Sequence, residues 1–214
     1  MNIFDVFYAS KNEQKALEMS AYMKNKFPFI GIQKPVRAAL SKDFFKEAKK
    51  RNVLDWQFVD QCYKLPEREF HYLAIDYIQS LSNLLVMDDI MRLEKLITTN
   101  SWWDSVDSLD EIVGNLCLKY PELKESVVSK WIESSNLWLK RVAINFQLKY
   151  KEKTDVDFLS RAILYNSDSK EFFVNKAIGW ALREYSKTNR EWVSQFLKNN
   201  SLTPLSVREA SKYL

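Results

Sequence analysis

The chain has 214 residues, enough for one domain with a substantial core and short for two. Only 3 glycines and 5 prolines occur, too few for the many tight turns of an all-β fold, so helices joined by short loops are expected. The net charge is +4, a mild excess that does not establish nucleic-acid binding, and the single histidine, His71, argues against a histidine-based triad or a His/Cys zinc site.

The opening MNIFDVFYAS carries Asp5 and runs into KNEQK, so no signal peptide is read there. Helical periodicity follows over 11–26, 35–50, 54–64, 67–80, 87–98, 102–118, 121–133, 136–150, 155–165, 170–186, 189–199 and 203–213. Pro35, Pro66, Pro121 and Pro204 stand near helix starts, with Asn, Ser and Asp clusters between helices. Cys62 and Cys117 lack a CxxC context and read as buried thiols in a reducing compartment. His71, between Phe70 and Tyr72, reads as structural. No run of about eighteen apolar residues occurs, so the expectation is a soluble, cytoplasmic, monomeric protein with no membrane contact. No linker divides the chain, which reads as one domain over 1–214.

Small residues recur at Ala39, Ala74, Ser108, Ala143, Ala177 and Ala210, at intervals of 35, 34, 35, 34 and 33 residues. A period near 34 that contains two helices is the mark of an α-solenoid of the HEAT or TPR type. Each helical hairpin must stack on its neighbours to bury its apolar face, and a small residue lets successive helices approach closely. The fold class expected is therefore all-α, with about six helical hairpins.

Three of the helices carry a second face. In 102–118, Trp102, Val106, Leu109, Val113 and Leu116 form a core stripe. Trp103 and Asp107, four apart, share a face rotated about 100° from it. Ser101 reads as the N-cap of that helix, with Asp104 in its first turn, which explains Asp104 but not Asp107. In 136–150 the stripe is Leu139, Val142 or Ala143, Phe146 and Tyr150, and beside it run Trp138, Arg141, Asn145 and Lys149. In 170–186 the stripe is Val174, Ile178, Ala181 and Tyr185, flanked by Lys176, Trp180, Arg183 and Lys187. Gly179, costly within a helix, implies close backbone approach.

Equivalent helices of a solenoid line one surface, so these faces should adjoin, with Asp107 and Arg141 one repeat apart as lateral neighbours. The picture is a basic channel with tryptophans around one acid. The other reading has Trp138 and Trp180 packing between repeats while the charges are merely solvated.

At these residues the sequence resembles the AlkD family of bacterial DNA alkylation-repair glycosylases. The strings that carry the resemblance are AYMKNKFPFIGIQKPVR, LPEREF, TTNSWWDSVDSL, SNLWLKRVAINFQLKYK and KEFFVNKAIGWALREYSKTN, spread over nearly the whole chain. The resemblance implies a HEAT-like solenoid with a concave DNA-binding channel. It implies that Asp107 of SWWDSVD is the catalytic carboxylate, with Trp103 and Trp180 as aromatic walls around the lesion's sugar and base. Arg141 of WLKRVAI would contact DNA beside the acid, and Tyr22 and Gln33 would be amino-terminal lesion contacts. Lys149, Lys176 and Arg183 complete the expected DNA-binding surface.

The expected reaction is monofunctional excision of cationic N3- or N7-alkylated purines from duplex DNA, without metal or cofactor. Such a base leaves neutral, so the enzyme needs a carboxylate for the oxocarbenium-like sugar and a placed water rather than a strong acid. No lysine stands out as a Schiff-base former. The rivals are a non-catalytic HEAT-repeat protein that binds damaged or branched DNA, and a protein–protein adaptor.

Overall fold

The computed structural model describes residues 2–214. Among these there are thirteen α-helices and no strand, so the all-α expectation is met. All twelve helices read from periodicity are present. Contacts gather into two compact units, one ending at Leu85 and the other running from Val86 to Leu214.

The first unit holds α1 (Ile3–Ala9), α2 (Glu13–Tyr22), α3 (Lys34–Arg51), α4 (Trp56–Lys64) and α5 (Arg68–Ser80). Helix α1 was not expected: seven residues are too few for periodicity, yet Asn2 caps it by accepting from the Asp5 N–H. Its Phe7 is fully buried and stacks on Phe70 of α5. His71 is structural, as expected. Its Nδ1 lies 3.2 Å from the Arg68 guanidinium and its Nε2 3.0 Å from the Leu65 carbonyl, so the ring ties the start of α5 to the loop before it. The loop before α3 is pinned by Glu69, whose buried carboxylate accepts from the N–H groups of Ile30, Gly31 and Ile32 at 3.0, 2.8 and 3.0 Å. Gly31 has φ +97°, and a Cβ there would lie 2.0 Å from the Asn12 carbonyl oxygen, so only glycine fits.

The second unit holds α6 (Asp89–Thr98), α7 (Trp103–Lys119), α8 (Ser129–Trp131, entered through a π-helical turn at Lys124–Val128), α9 (Leu137–Asn145), α10 (Val156–Tyr165), α11 (Phe172–Ser186), α12 (Arg190–Asn199) and α13 (Pro204–Ala210). Helices α7, α9, α11 and α13 pack each on the next, while α6, α8, α10 and α12 accompany them as a second row. This is the stacked-hairpin packing of an α-solenoid. The repeat is visible in hydrogen bonds: Asn166 donates to the Ile132 carbonyl 34 residues away, and Trp131 donates to Glu94 across 37.

The six small residues fall on α3, α5, α7, α9, α11 and α13, so the period locates the repeating helix. Its register fails twice, because Ala39 and Ser108 are exposed and the nearest buried small residues of those helices are Ser41 and Ser105. The connections between helices differ in length, being three residues at 187–189 and ten at 146–155, and at about 100° per residue a shift of two or three positions turns a side chain to another face. Two further expectations are corrected. Ser101 is not the cap of α7; its hydroxyl turns back to the Ile97 carbonyl at 2.6 Å, and Trp102 takes the N-cap position, its side chain making no capping bond. Helix α9 stops at Asn145 rather than 150, because the following turn is used in tertiary contacts. There the Tyr150 hydroxyl donates to the Gly114 carbonyl, and Gln147 accepts from the Asp155 N–H at 2.8 Å.

Candidate active site

The chemistry-bearing residues of the second unit come from the facing sides of α7, α9, α11 and α13. On α7 the core stripe is as expected, with Val106, Leu109 and Val113 fully buried. That burial leaves Trp103 and Asp107, one turn apart, facing a cleft of about 320 Å³. The same cleft is lined by Arg141 from α9, by Phe172, Phe173, Lys176, Trp180 and Arg183 from α11, and by Glu209 from α13.

Arg141 Nε donates to Asp107 Oδ1 at 2.7 Å and Nη2 donates to Oδ2 at 2.9 Å, a fork-to-fork pair, while Nη1 donates to the Phe173 carbonyl at 2.7 Å. The Arg141 side chain is 5 % exposed and that of Asp107 is 20 % exposed, so the acid, not the base, faces the opening. Burial pushes the Asp107 carboxyl above its ordinary range, while the Arg141 guanidinium draws it back down. The next acid on the helix, Asp110, is fully buried, and its carboxyl is driven well above the ordinary range by that burial and then by Asp107. Only Asp107 touches the guanidinium, so the negative charge of the pair resides there.

Trp180 stands across the cleft, its ring centroid 5.9 Å from the Arg141 guanidinium. It can stand there because Gly179 lets α13 close on α11: a Cβ on Gly179 would lie 2.5 Å from Glu209 Cβ. The close approach implied by that glycine is therefore present. Trp138, by contrast, is buried, edge-on to Trp102 at 5.8 Å and 5.0 Å from Phe173. It is part of the wall behind Arg141 rather than of the cleft, which is the packing reading for that tryptophan.

The cations are also placed differently from one another. Lys176 and Arg183 line the cleft but are paired with Glu209, at 3.1 and 3.0 Å. Lys212 binds the same carboxylate at 2.7 Å, and Lys212 and then Lys176 hold its pKa down at about 2. Lys149 does not line this cleft; it pairs with Glu111 at 2.6 Å and lines a neighbouring cavity of about 230 Å³ that shares Asp107 and Trp180 with the cleft. Tyr22 and Gln33 lie in the first unit, where they line a groove of about 370 Å³ with Met19, Met23, Phe29 and Tyr72. Tyr22 is exposed there, and Gln33 is the N-cap residue of α3.

Three residues of the cleft, Phe172, Phe173 and Glu209, were not read from the sequence as site residues, nor was Asp110 in the neighbouring cavity. Asp110 had a signal, since a carboxylate at 110 continues the apolar run 106, 109, 113 and so has to be buried. Glu209 had a partial one, since it stands one repeat after Lys176, while its bond to Arg183 is set by how α13 crosses α11. Among the described residues no group of three or more His, Cys, Asp or Glu side chains could hold a metal ion. No helix among them is long and apolar enough to cross a membrane.

The model of one family, described as DNA alkylation repair enzyme, matches residues 3–214. The chain belongs to that family. Its structure is similar to that of a predicted DNA alkylation repair enzyme from Enterococcus faecalis, with 39% sequence identity, a TM-score of 0.89 and coverage of 95% of this chain and 96% of that one. A second similar structure is smu.31 from Streptococcus mutans UA159, at 21% identity, TM-score 0.59 and coverage of 83% and 97%, a likeness of fold alone. Among curated proteins none matches the chain.

Proposed function

We propose that this member of the DNA alkylation repair family is a monofunctional DNA glycosylase that excises cationic N3- and N7-alkylated purines, such as 3-methyladenine and 7-methylguanine, from duplex DNA. The observation that carries the reading is Asp107, a carboxylate held in one orientation by Arg141 and opening between Trp103 and Trp180.

The alkylated base already carries a positive charge, so cleavage of its C1′–N bond sends the electron pair to the base, which departs neutral. The charge then lies on the sugar, where a fixed anion in a partly dry site stabilises it. The Trp103 and Trp180 faces attract the same cation, each by roughly 0.5–2 kcal/mol. A water oriented on Asp107 adds its oxygen to C1′ and gives its proton to the carboxylate or to solvent.

Arg141 positions the acid, with three of its five N–H groups engaged, and adds a positive charge beside it for the DNA. Lys149, Lys176 and Arg183 serve the DNA backbone, and Tyr22 and Gln33 serve as amino-terminal lesion contacts. The protein acts as a cytoplasmic monomer in this reading. The test is release of 7-methylguanine from duplex DNA by the wild type and by Asp107→Asn. The expected loss is on the order of 10²–10³-fold, as for removal of other preorganised electrostatic groups. Release by neither protein indicates a DNA-binding relative without catalysis, and equal release by both removes Asp107 from its role.

A further inference from the structure

Behind the Asp107–Arg141 pair lies a second rung between the same two helices. Asp110, one turn beyond Asp107 on α7, faces Asn145, one turn beyond Arg141 on α9. Asp110 is 2 % exposed and Asn145 1 % exposed, and no well-formed hydrogen bond reaches either carboxylate oxygen of Asp110 or either amide atom of Asn145, the two side chains being only near enough for a loose contact with each other. All four atoms belong to residues that line the cavity shared with Asp107 and Trp180. Buried polar groups are nearly always satisfied, so four such atoms side by side mark a place with a further use.

The charges around Asp110 are unbalanced. From α7 come Asp107 and Glu111, from α9 Arg141, from the turn after α9 Lys149 and Tyr150, and from α11 Glu184. Glu111 and Lys149 satisfy each other, and Arg141 is spent on Asp107. Nothing positive remains for Asp110. A second buried anion here would stand unpaired beside the first, and a carboxyl so placed takes a proton instead. Burial and Asp107 act in that direction on Asp110, with Arg141 and Asn145 opposing. A cation arriving at Asp107 changes the balance, because two anions then face two cations.

We propose that Asp110 is a positioning residue for cationic lesions: neutral in the free protein, it gives up its proton when a cationic sugar or base lies against Asp107, so the site gains a second anion only when there is a cation to hold. Its proton passes to solvent, and Asn145 takes its hydrogen bond in either state, accepting through Oδ1 from the acid or donating through Nδ2 to the anion. This rests on the glycosylase reading for the site's cationic occupant, but not on turnover. Linkage requires reciprocity: if the cation drives off the proton, loss of the proton tightens the cation by the same factor.

The experiment measures affinity for two duplexes, one with a cationic pyrrolidine in place of the lesion sugar and one with a neutral tetrahydrofuran, from pH 6 to 9. Wild type and Asp110→Asn are compared, so that titration of the probe itself cancels. In the wild type the preference for the cationic duplex should rise with pH by up to tenfold per unit relative to Asp110→Asn, the slope of one linked proton. Equal pH dependence in both proteins would overturn the proposal. Should Asp110→Asn fail to fold, infrared difference spectra of the wild type decide. A protonated-carboxyl band that disappears on binding the cationic duplex is required, and its absence from the free protein is fatal. Failure to release 7-methylguanine would count against the glycosylase reading and leave this measurement standing.

Discussion

Asp107 and Arg141 stand 34 residues apart and are joined by two parallel hydrogen bonds of 2.7 and 2.9 Å, so that one helical hairpin's acid is held by the next hairpin's base. The arrangement makes Arg141 a support before it is a DNA contact. Arg141→Lys keeps the charge but loses the fork, so Asp107 gains rotational freedom and excision of 7-methylguanine should fall on the order of tenfold or more. Arg141→Ala leaves a largely buried carboxylate without its partner. Its stability loss should be about 3 kcal/mol, near the low end for broken buried pairs, because Asp107 keeps 20 % of its side-chain surface for water. Urea unfolding and single-turnover base release measure the two effects. Full activity in Arg141→Lys would count against the positioning role.

The tryptophans separate by function. Trp138 is enclosed by Trp102 and Phe173, so Trp138→Ala opens a cavity and should cost about 3–5 kcal/mol in urea unfolding. Trp180 is half-buried on the cleft, and Trp180→Ala should cost less stability while weakening the cationic transition state by roughly 0.5–2 kcal/mol. The opposite ranking, with Trp138 dispensable for folding, would place the aromatic wall elsewhere.

What the sequence reveals of this cleft follows from how each contact is made. Asp107 and Arg141 are legible because their partnership follows the repeat period, and Trp103 and Trp180 because a helix puts every fourth residue on one face. Trp138 has the same flanking position as Arg141 but points into the packing, since periodicity gives a direction and not a depth. Glu209 joins Arg183 across 26 residues, an interval that no repeat contains, so that pairing comes only from the crossing of α13 on α11, whereas Lys176 stands one repeat before Glu209 and that pairing follows the period. Tyr22 and Gln33 have no pattern of their own and were named through family resemblance.

Glu209 binds Lys176, Arg183 and Lys212, leaving the cluster two charges positive. Its carboxyl is held at about 2, below the ordinary glutamate value near 4.3, so the native state binds fewer protons than the unfolded chain between them. The stabilisation is therefore present above about pH 4.3 and is lost as pH falls towards 2. Glu209→Gln should lower stability at neutral pH, and the gap to the wild type should close on acidification. The same change frees cations for phosphate, so the plot of log affinity for duplex DNA against log salt should steepen by about one unit. An unchanged salt slope would take these three cations out of the DNA interface.

Gly179 decides whether α13, and with it Glu209, can sit where it does. In an isolated helix Gly179→Ala would gain about 0.8–1.0 kcal/mol. Here the new Cβ meets Glu209 Cβ at 2.5 Å and the Ser206 carbonyl oxygen at 2.9 Å, and the second of these is backbone that cannot turn aside. Overpacking of this kind typically costs 1–3 kcal/mol, roughly, which exceeds the helical gain. The variant should therefore be less stable than the wild type by up to about 2 kcal/mol in urea unfolding. Pushing α13 outward also shifts the anchor of Lys176 and Arg183, so DNA affinity should change with no change in Asp107. Greater stability in Gly179→Ala would mean that α13 yields easily and that Glu209 is not held in place by this contact.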